Sequence, residues 1–426
     1  MYKVIMENNM FFDENTSNAK GITVKKWNNK KMKIALFCLV VTSCLGETLN
    51  IFGIKASILC AFGTLFFFLI DHVNNPVKFS TNEVKRLSFF VFFWLFYATL
   101  QMVFILNNDY VISSYLSLVI NIFLIIMLAT NIFEIKDIIF INRALILGLV
   151  INLLIAYWEI YSGNHLVPLD EERLLAFGNK PIGVFGNIND LATFLCWGII
   201  ALILNFSLTH KNIFITGILI IASVYILLVI NARAPIYGIL LYGFSIILCY
   251  VLFIVKQKSK IIFKFIIAFG SFIVVTFFLI TTSLYTLDEL ILIVSSEGNQ
   301  GSDLYRLELI ISALSALINT AFLGVGPGQS IVVSGINVHN FFIEIMVEYG
   351  LVVIGGIVSI FIYMYRMYKW NLPLFLSSCV MSFPAAFFLI SISSSGANKI
   401  RATWIIITII FMAVSISKKN KGITGK

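Results

Sequence analysis

Apolar runs of 15 to 24 residues recur along the chain with short polar breaks between them, and they are apolar all round rather than on one face. Such runs predict helices buried in lipid or in one another, not strands or surface helices. Hydropathy places twelve spans at 34–50, 51–70, 87–106, 110–130, 138–161, 188–206, 212–230, 236–255, 261–281, 343–365, 372–392 and 402–416. The fold class read from this pattern is an all-α polytopic integral membrane protein of about twelve transmembrane helices.

Residues 1–33 form a polar, Asn-rich N-terminal tail, 34–416 one transmembrane domain, and 417–426 a short C-terminal tail. No cleavage site of small residues follows the first apolar run, so that run is expected to be retained. Two connections are long, 162–187 and 282–342, the second between spans 9 and 10. Leu304 to Leu323 is apolar enough for a further span, but Arg306 and Glu308 in its first turns favour an interfacial or cavity-lining helix.

Composition sharpens this reading. Of 426 residues, 59% are hydrophobic and 12% charged, with a mean hydropathy of +0.96, which excludes a water-soluble domain of ordinary surface. The net charge of +9 comes from Lys and Arg scattered between apolar runs, so it encodes topology and not a nucleic-acid face. With a cytoplasmic N-terminus, all but seven of the 30 basic residues fall on the inner side; the seven are Lys55, Arg173, Lys180, Arg233, Arg306, Lys399 and Arg401. Both termini are therefore expected in the cytoplasm. The six cysteines lie in apolar runs without metal-ligand spacing, so neither a disulfide framework nor a metal centre is indicated.

Candidate chemistry sits in the outer segments. The first loop carries Arg173 and Lys180 and ends in Gly183-Val-Phe-Gly-Asn-Ile-Asn-Asp190, where Asn189 or Asp190 suits a helix N-cap and Asn187 is left over. Asn231-Ala-Arg233-Ala-Pro235 sets an arginine on a short outer turn, where topology disfavours positive charge; a snorkelling anchor is the structural alternative. The second loop brings Arg306, the turn Gly324-Val-Gly-Pro-Gly328, and His339-Asn340 at the entry of span 10. Lacking a trailing Lys-Ser/Thr, the glycine segment reads as a flexible turn and not a phosphate loop. Asn340, Glu344 and Glu348 recur at i, i+4, i+8, a polar stripe that faces water or protein rather than lipid.

These motifs, in this order, resemble the O-antigen ligase and polymerase superfamily of membrane glycosyltransferases, the Wzy-type polymerases among them, over about residues 180–350. The resemblance implies that Arg233 and Arg306 bind the pyrophosphate of a polyprenyl-linked glycan, and that His339 acts as base on the acceptor sugar hydroxyl. Arg173, Asn187, Asn189, Asn340 and Glu344 are the further candidates for substrate contact. It also implies a polysaccharide polymerase of the bacterial cytoplasmic membrane, needing no cofactor or metal, with lipid-linked donor and acceptor and membrane lipid as partners and a chain-length regulator protein as a candidate one. Transfer of finished glycan to a lipid or surface acceptor, as by a ligase, and export of lipid-linked oligosaccharide, as by a flippase, are the alternatives. The topology has a direct check: a reporter active only outside the cytoplasm is expected to score when fused after Gly298 and to stay silent after Lys258 or Lys421, and a signal at Lys421 would overturn the even span count.

Overall fold

The computed structural model describes residues 30–46, 50–51, 54–73, 79–105, 109–169, 171, 174, 177–255, 302–335, 340–368, 372–392 and 400–424. The described chain is helical apart from turns and one small hairpin. In chain order the helices are α1 Lys30–Cys44, α2 Ala56–His72, α3 Asn82–Val103, α4 Asp109–Asn131, α5 Ile135–Ser162, α6 Ile188–Thr209, α7 Ile213–Ile230, α8 Arg233–Val255, α9 Ser302–Asn319, α10 Gln329–Ser334, α11 Phe341–Tyr368, α12 Leu374–Ser391 and α13 Arg401–Thr424. Between α1 and α2, Asn50–Ile51 pairs with Ile54–Lys55 as an antiparallel hairpin.

Eight helices among the described residues, α3 to α8, α11 and α12, are long and apolar enough to cross a membrane. Their bounds follow the hydropathy closely at α6 and α7, whereas the first span ends earlier than expected, at Cys44, and the second starts later, at Ala56. Span 9 at 261–281 lies outside the described residues.

Burial sorts the helices into a centre and a wall. α6 is enclosed on nearly every side, with 83% of its apolar window buried, and the apolar part of α13 is buried almost without interruption. In α3, α7 and α8 the corresponding share is 28%. Their outward faces carry Phe89, Phe92, Phe96, Ile215, Ile218, Ile221, Leu240, Phe244 and Ile247, all exposed. A soluble monomer rarely shows so continuous an apolar surface, and a bilayer supplies its cover. This is a multi-pass membrane protein.

Inside the bundle, the hydrophobic effect between helices is weak because lipid is as apolar as leucine, so packing and buried hydrogen bonds carry the specificity. Asn142 Nδ2 donates to Ala201 O at 2.8 Å and ties α5 to α6. Asn152 Nδ2 donates to Cys44 O at 3.0 Å and ties α5 to the end of α1. At the opposite end, Lys33 Nζ lies 3.1 Å from Asp137 Oδ1, while Asp137 Oδ2 accepts the N–H groups of Phe133 and Glu134 at 3.1 and 3.2 Å. One carboxylate thus caps α5 and pins α1 to it.

Helices that alternate in direction bring the end of α5 and the starts of α6, α8 and α11 to one end of the bundle. Direct bonds confirm the last of these, because the end of α3 bonds the turn before α11 through Gln101 and Tyr97. The start of α13 joins the same end, where Arg401 Nη1 donates to Ser57 Oγ at 2.5 Å. Trp94 on α3, Tyr349 and Phe341 on α11, Trp404 on α13, Phe387 on α12 and Trp197 on α6 form a chain of ring contacts beneath it, with centroids 5.3 to 5.6 Å apart. Rings in edge and offset contact make a rigid floor. We expect Asn152→Leu, which removes a buried interhelical bond, to lower stability by about 1 kcal/mol in a detergent unfolding titration.

Candidate active site

The first loop of this end is organised by a residue that the sequence leaves unremarked at the margin of a span. Glu159 stands in the last turn of α5, fully buried. A carboxylate is disfavoured there by the helix dipole and by burial. The loop compensates: Oε1 accepts the N–H of Leu166 at 3.1 Å, and Oε2 accepts those of Ile182 and Gly183 at 2.8 and 2.7 Å. His165 completes the cluster, with Nδ1 3.7 Å from Oε1 and Nε2 3.2 Å from Gly178 O. Both ends of the loop are therefore tied to one side chain.

From that anchor the chain makes a 3-10 turn at Gly183–Phe185 and enters α6. The N-cap is Asn187, not Asn189 or Asp190 as expected. Its Oδ1 accepts the Asn189 N–H at 2.8 Å, and the chain turns helical at Ile188. An Asn oxygen reaching the second following amide is a local bond any loop can form, so the cap falls two or three residues earlier than the pattern suggested. Asn189 is half-buried and Asp190 buried in the first turn.

Arg233 is the first residue of α8 and exposed. It follows a tight turn in which Asn231 takes φ 58 and ψ 40, and the Asn231 N–H closes the end of α7 on Leu227 O and Leu228 O. Asparagine tolerates this left-handed conformation better than other non-glycine residues. Arg401, at the start of α13, is buried, so the two arginines occupy opposite surroundings at the same end of the bundle.

The third element is a broken helix. α11 starts at Phe341, capped by Asn340, whose Oδ1 accepts the N–H groups of Phe342 and Ile343 at 3.1 and 3.2 Å. It then departs from helical geometry at Gly350, with φ 75 and ψ −179, a conformation open essentially to glycine alone. The glycine-rich turn docks against this break and is not loose. Val325 N donates to Val347 O and Gly326 N to Glu348 O, both at 2.8 Å, and Leu351 N donates to Phe322 O at 3.1 Å. From α3, Gln101 Nε2 donates to Leu323 O and to Glu348 O at 3.1 Å, and Tyr97 OH donates to Leu323 O at 2.5 Å. These bonds re-satisfy the backbone groups that the interruption releases.

The polar stripe of α11 points into protein, as its spacing requires: Glu344 and Glu348 are buried. Ser330 Oγ on α10 donates to Glu348 Oε1 at 2.6 Å, which fastens α10 to the broken segment. Neither this serine nor Gln101 was singled out by the sequence. A glutamine within an apolar run was the available signal for Gln101.

Of the other candidates, Arg306 falls in the second turn of α9, while Arg173 and His339 lie outside the described residues. The structure brings Asn340, Glu344 and Glu348 onto one short segment. Arg233 opens α8, which packs chiefly on α12, and α12 in turn packs on α11.

Residues 217–358 match the family model described as O-antigen ligase. The matched stretch contains Arg233, Arg306, His339, Asn340 and Glu344, the break at Gly350 and its docked turn. It leaves out Arg173, Asn187 and Asn189. A more extended match is to the teichuronic acid biosynthesis protein TuaE of Bacillus subtilis (strain 168), 22% identical over 370 residues, 80% of this chain and 73% of that protein. Together these matches support the O-antigen ligase and polymerase superfamily.

Within the matched stretch, the break at Gly350 gives a sharp expectation. A Cβ there would lie 2.5 Å from Phe322 O and 2.6 Å from Leu323 C, so Gly350→Ala must displace the turn. We expect a loss of about 1 to 3 kcal/mol for the strained backbone, read as a lower melting temperature in detergent. Glu159→Gln replaces an acceptor with a donor among three N–H groups and is expected to cost about 2 kcal/mol. Its signature would be faster tryptic cleavage after Arg173, in the loop that Glu159 closes, and an unchanged digestion pattern would deny the anchoring role.

Proposed function

We propose that this protein polymerises a cell-envelope polysaccharide, transferring a growing glycan from polyprenyl pyrophosphate onto the next lipid-linked repeat unit on the outer side of the cytoplasmic membrane. One observation carries the reading. An exposed arginine at a helix start, the helix bearing Arg306 and the polar entry of a broken span all belong to the region matched by the O-antigen ligase model, and the charge pattern assigns their end of the bundle to the outside.

The chemistry follows from the donor. The bond between the anomeric carbon and the pyrophosphate oxygen breaks, and a new bond forms from that carbon to an acceptor hydroxyl oxygen. Negative charge gathers on the departing polyprenyl pyrophosphate, and Arg233 and Arg306 are assigned to it because a guanidinium presents a planar fork that meets phosphate oxygens in pairs. A sugar hydroxyl is a poor nucleophile until its proton leaves, and His339 is assigned to accept it, its ordinary pKa class lying near working pH. Asn340 and Glu344, on the first turns of α11, would hold the segment that follows His339 in register.

The description of the matched family as an O-antigen ligase favours a second reading, delivery of a finished glycan to a lipid or surface acceptor. The two differ only in the acceptor and are separated by product: a ladder of lipid-linked oligomers or a single transfer.

The test is incubation of the purified protein with defined polyprenyl pyrophosphate repeat units. Arg233→Ala is expected to nearly abolish ladder growth, with weak rescue by Arg233→Lys, and full activity of the alanine variant would return Arg233 to a membrane anchor. His339→Gln is expected to keep donor binding and to slow growth about 10²- to 10⁴-fold. Long ladders at native rate would remove His339 from the reaction.

A further inference from the structure

Between α9 and α10 lies an open cleft of about 500 Å³, lined by Glu308, Ile311, Ser312, Ser315, Ala316 and Asn319 of α9 and by Val333 of α10. Its polar residues are not scattered. Glu308, Ser312, Ser315 and Asn319 follow i, i+4, i+7, i+11 and so run along one face of the helix for roughly 16 Å. The opposite face, Leu309, Ala313 and Leu317, is buried, and Ala313 and Leu317 form a small core of their own with Val347 of α11. Helix α9 is therefore fixed with its polar face toward the cleft. Ser312 Oγ donates to Val333 O at 3.2 Å, which holds α10 as the second wall.

The lining says what would fit. A carboxylate at one end opposes a phosphate or pyrophosphate. No second acid, histidine or thiol stands among the lining residues, so a divalent cation would find too few ligands. Two hydroxyls, a carboxamide and a carboxylate offer donors and acceptors side by side, and Ile311, Ala316 and Val333 add apolar surface between them. Sugars present the same mixture, hydroxyl groups around a ring whose faces are lined with C–H.

We propose that this cleft binds sugar residues of the lipid-linked glycan, as a saccharide subsite separate from the pyrophosphate clamp. The assignment rests on the glycan-transfer reading above, yet it concerns binding alone and is tested without transfer. The probe is the free oligosaccharide released by mild acid from the source organism's own envelope polymer, titrated against the full chain in detergent and followed by saturation-transfer NMR and calorimetry. The wild type is expected to bind it, and Ser315→Leu/Asn319→Leu, which fills the cleft from two exposed positions, to weaken binding by roughly tenfold or more. Binding of glycan-free polyprenyl pyrophosphate is expected to stay as in the wild type, and Ile318→Ala, an exposed position of α9 outside the cleft, to leave both unchanged. Should the leucine pair fail to accumulate, Ser315→Ala/Asn319→Ala removes the same polar groups without added bulk. Native oligosaccharide affinity in the filled cleft, or no binding by the wild type, would overturn the subsite. Binding that depends on the cleft in a protein that forms no new glycosidic bond would sink the transfer reading and leave the subsite standing.

Discussion

A polypeptide that leaves helical geometry near lipid must find partners for every backbone group it releases, because the solvent offers none. That constraint shapes the whole candidate active end of this protein. Among the described residues the chain shows this most plainly in two places. After α5 it runs into a loop whose amides close on the Glu159 carboxylate, and within α11 it breaks at Gly350 and takes up the backbone of the 322–326 turn together with side chains of α3. In both places the solution joins segments far apart in sequence.

The same economy separates the charges. Arg401 is absorbed into the bundle and spends a nitrogen on Ser57, which makes it part of the framework. Arg233 opens a helix with its side chain exposed, at the mouth of the same end. Buried acids behave in a comparable way: Glu159 and Glu348 each face donors, backbone amides in one case and a serine hydroxyl in the other. What remains outward is the positive charge that a pyrophosphate would need and, along α9, a face of hydroxyl and amide groups.

The membrane class, the helical architecture and most span positions were legible in the chain, because bilayer thickness imposes apolar run lengths that little else produces. The polar stripe of α11 was legible as facing inward. The break within it was not. Gly350, Gly355 and Gly356 all lie in one apolar run, and composition does not distinguish a glycine that reverses the backbone from one that admits a neighbour; at Gly356 the structure shows the latter, since an added Cβ would collide with the Phe90 ring. The glycine-rich turn read as flexible for a similar reason, its partners being supplied by α3 and α11. Asn187 was misassigned because an N-cap depends on where the helix actually begins, and three polar residues within four positions leave that open. Glu159 gave a signal only as a carboxylate at a span margin, with its amide donors up to 24 residues away.

The aromatic floor has a practical consequence. Trp94 touches both Tyr349, the residue just before the helix break, and Trp404, buried in the first turn of α13. Two of the six indoles in the chain thus sit at the seam between the broken span and the central helix. Their emission is governed by that packing, so the molecule carries its own optical gauge: a shift of α11 on occupancy of the end above it would register as a change in ultraviolet fluorescence, with no label attached.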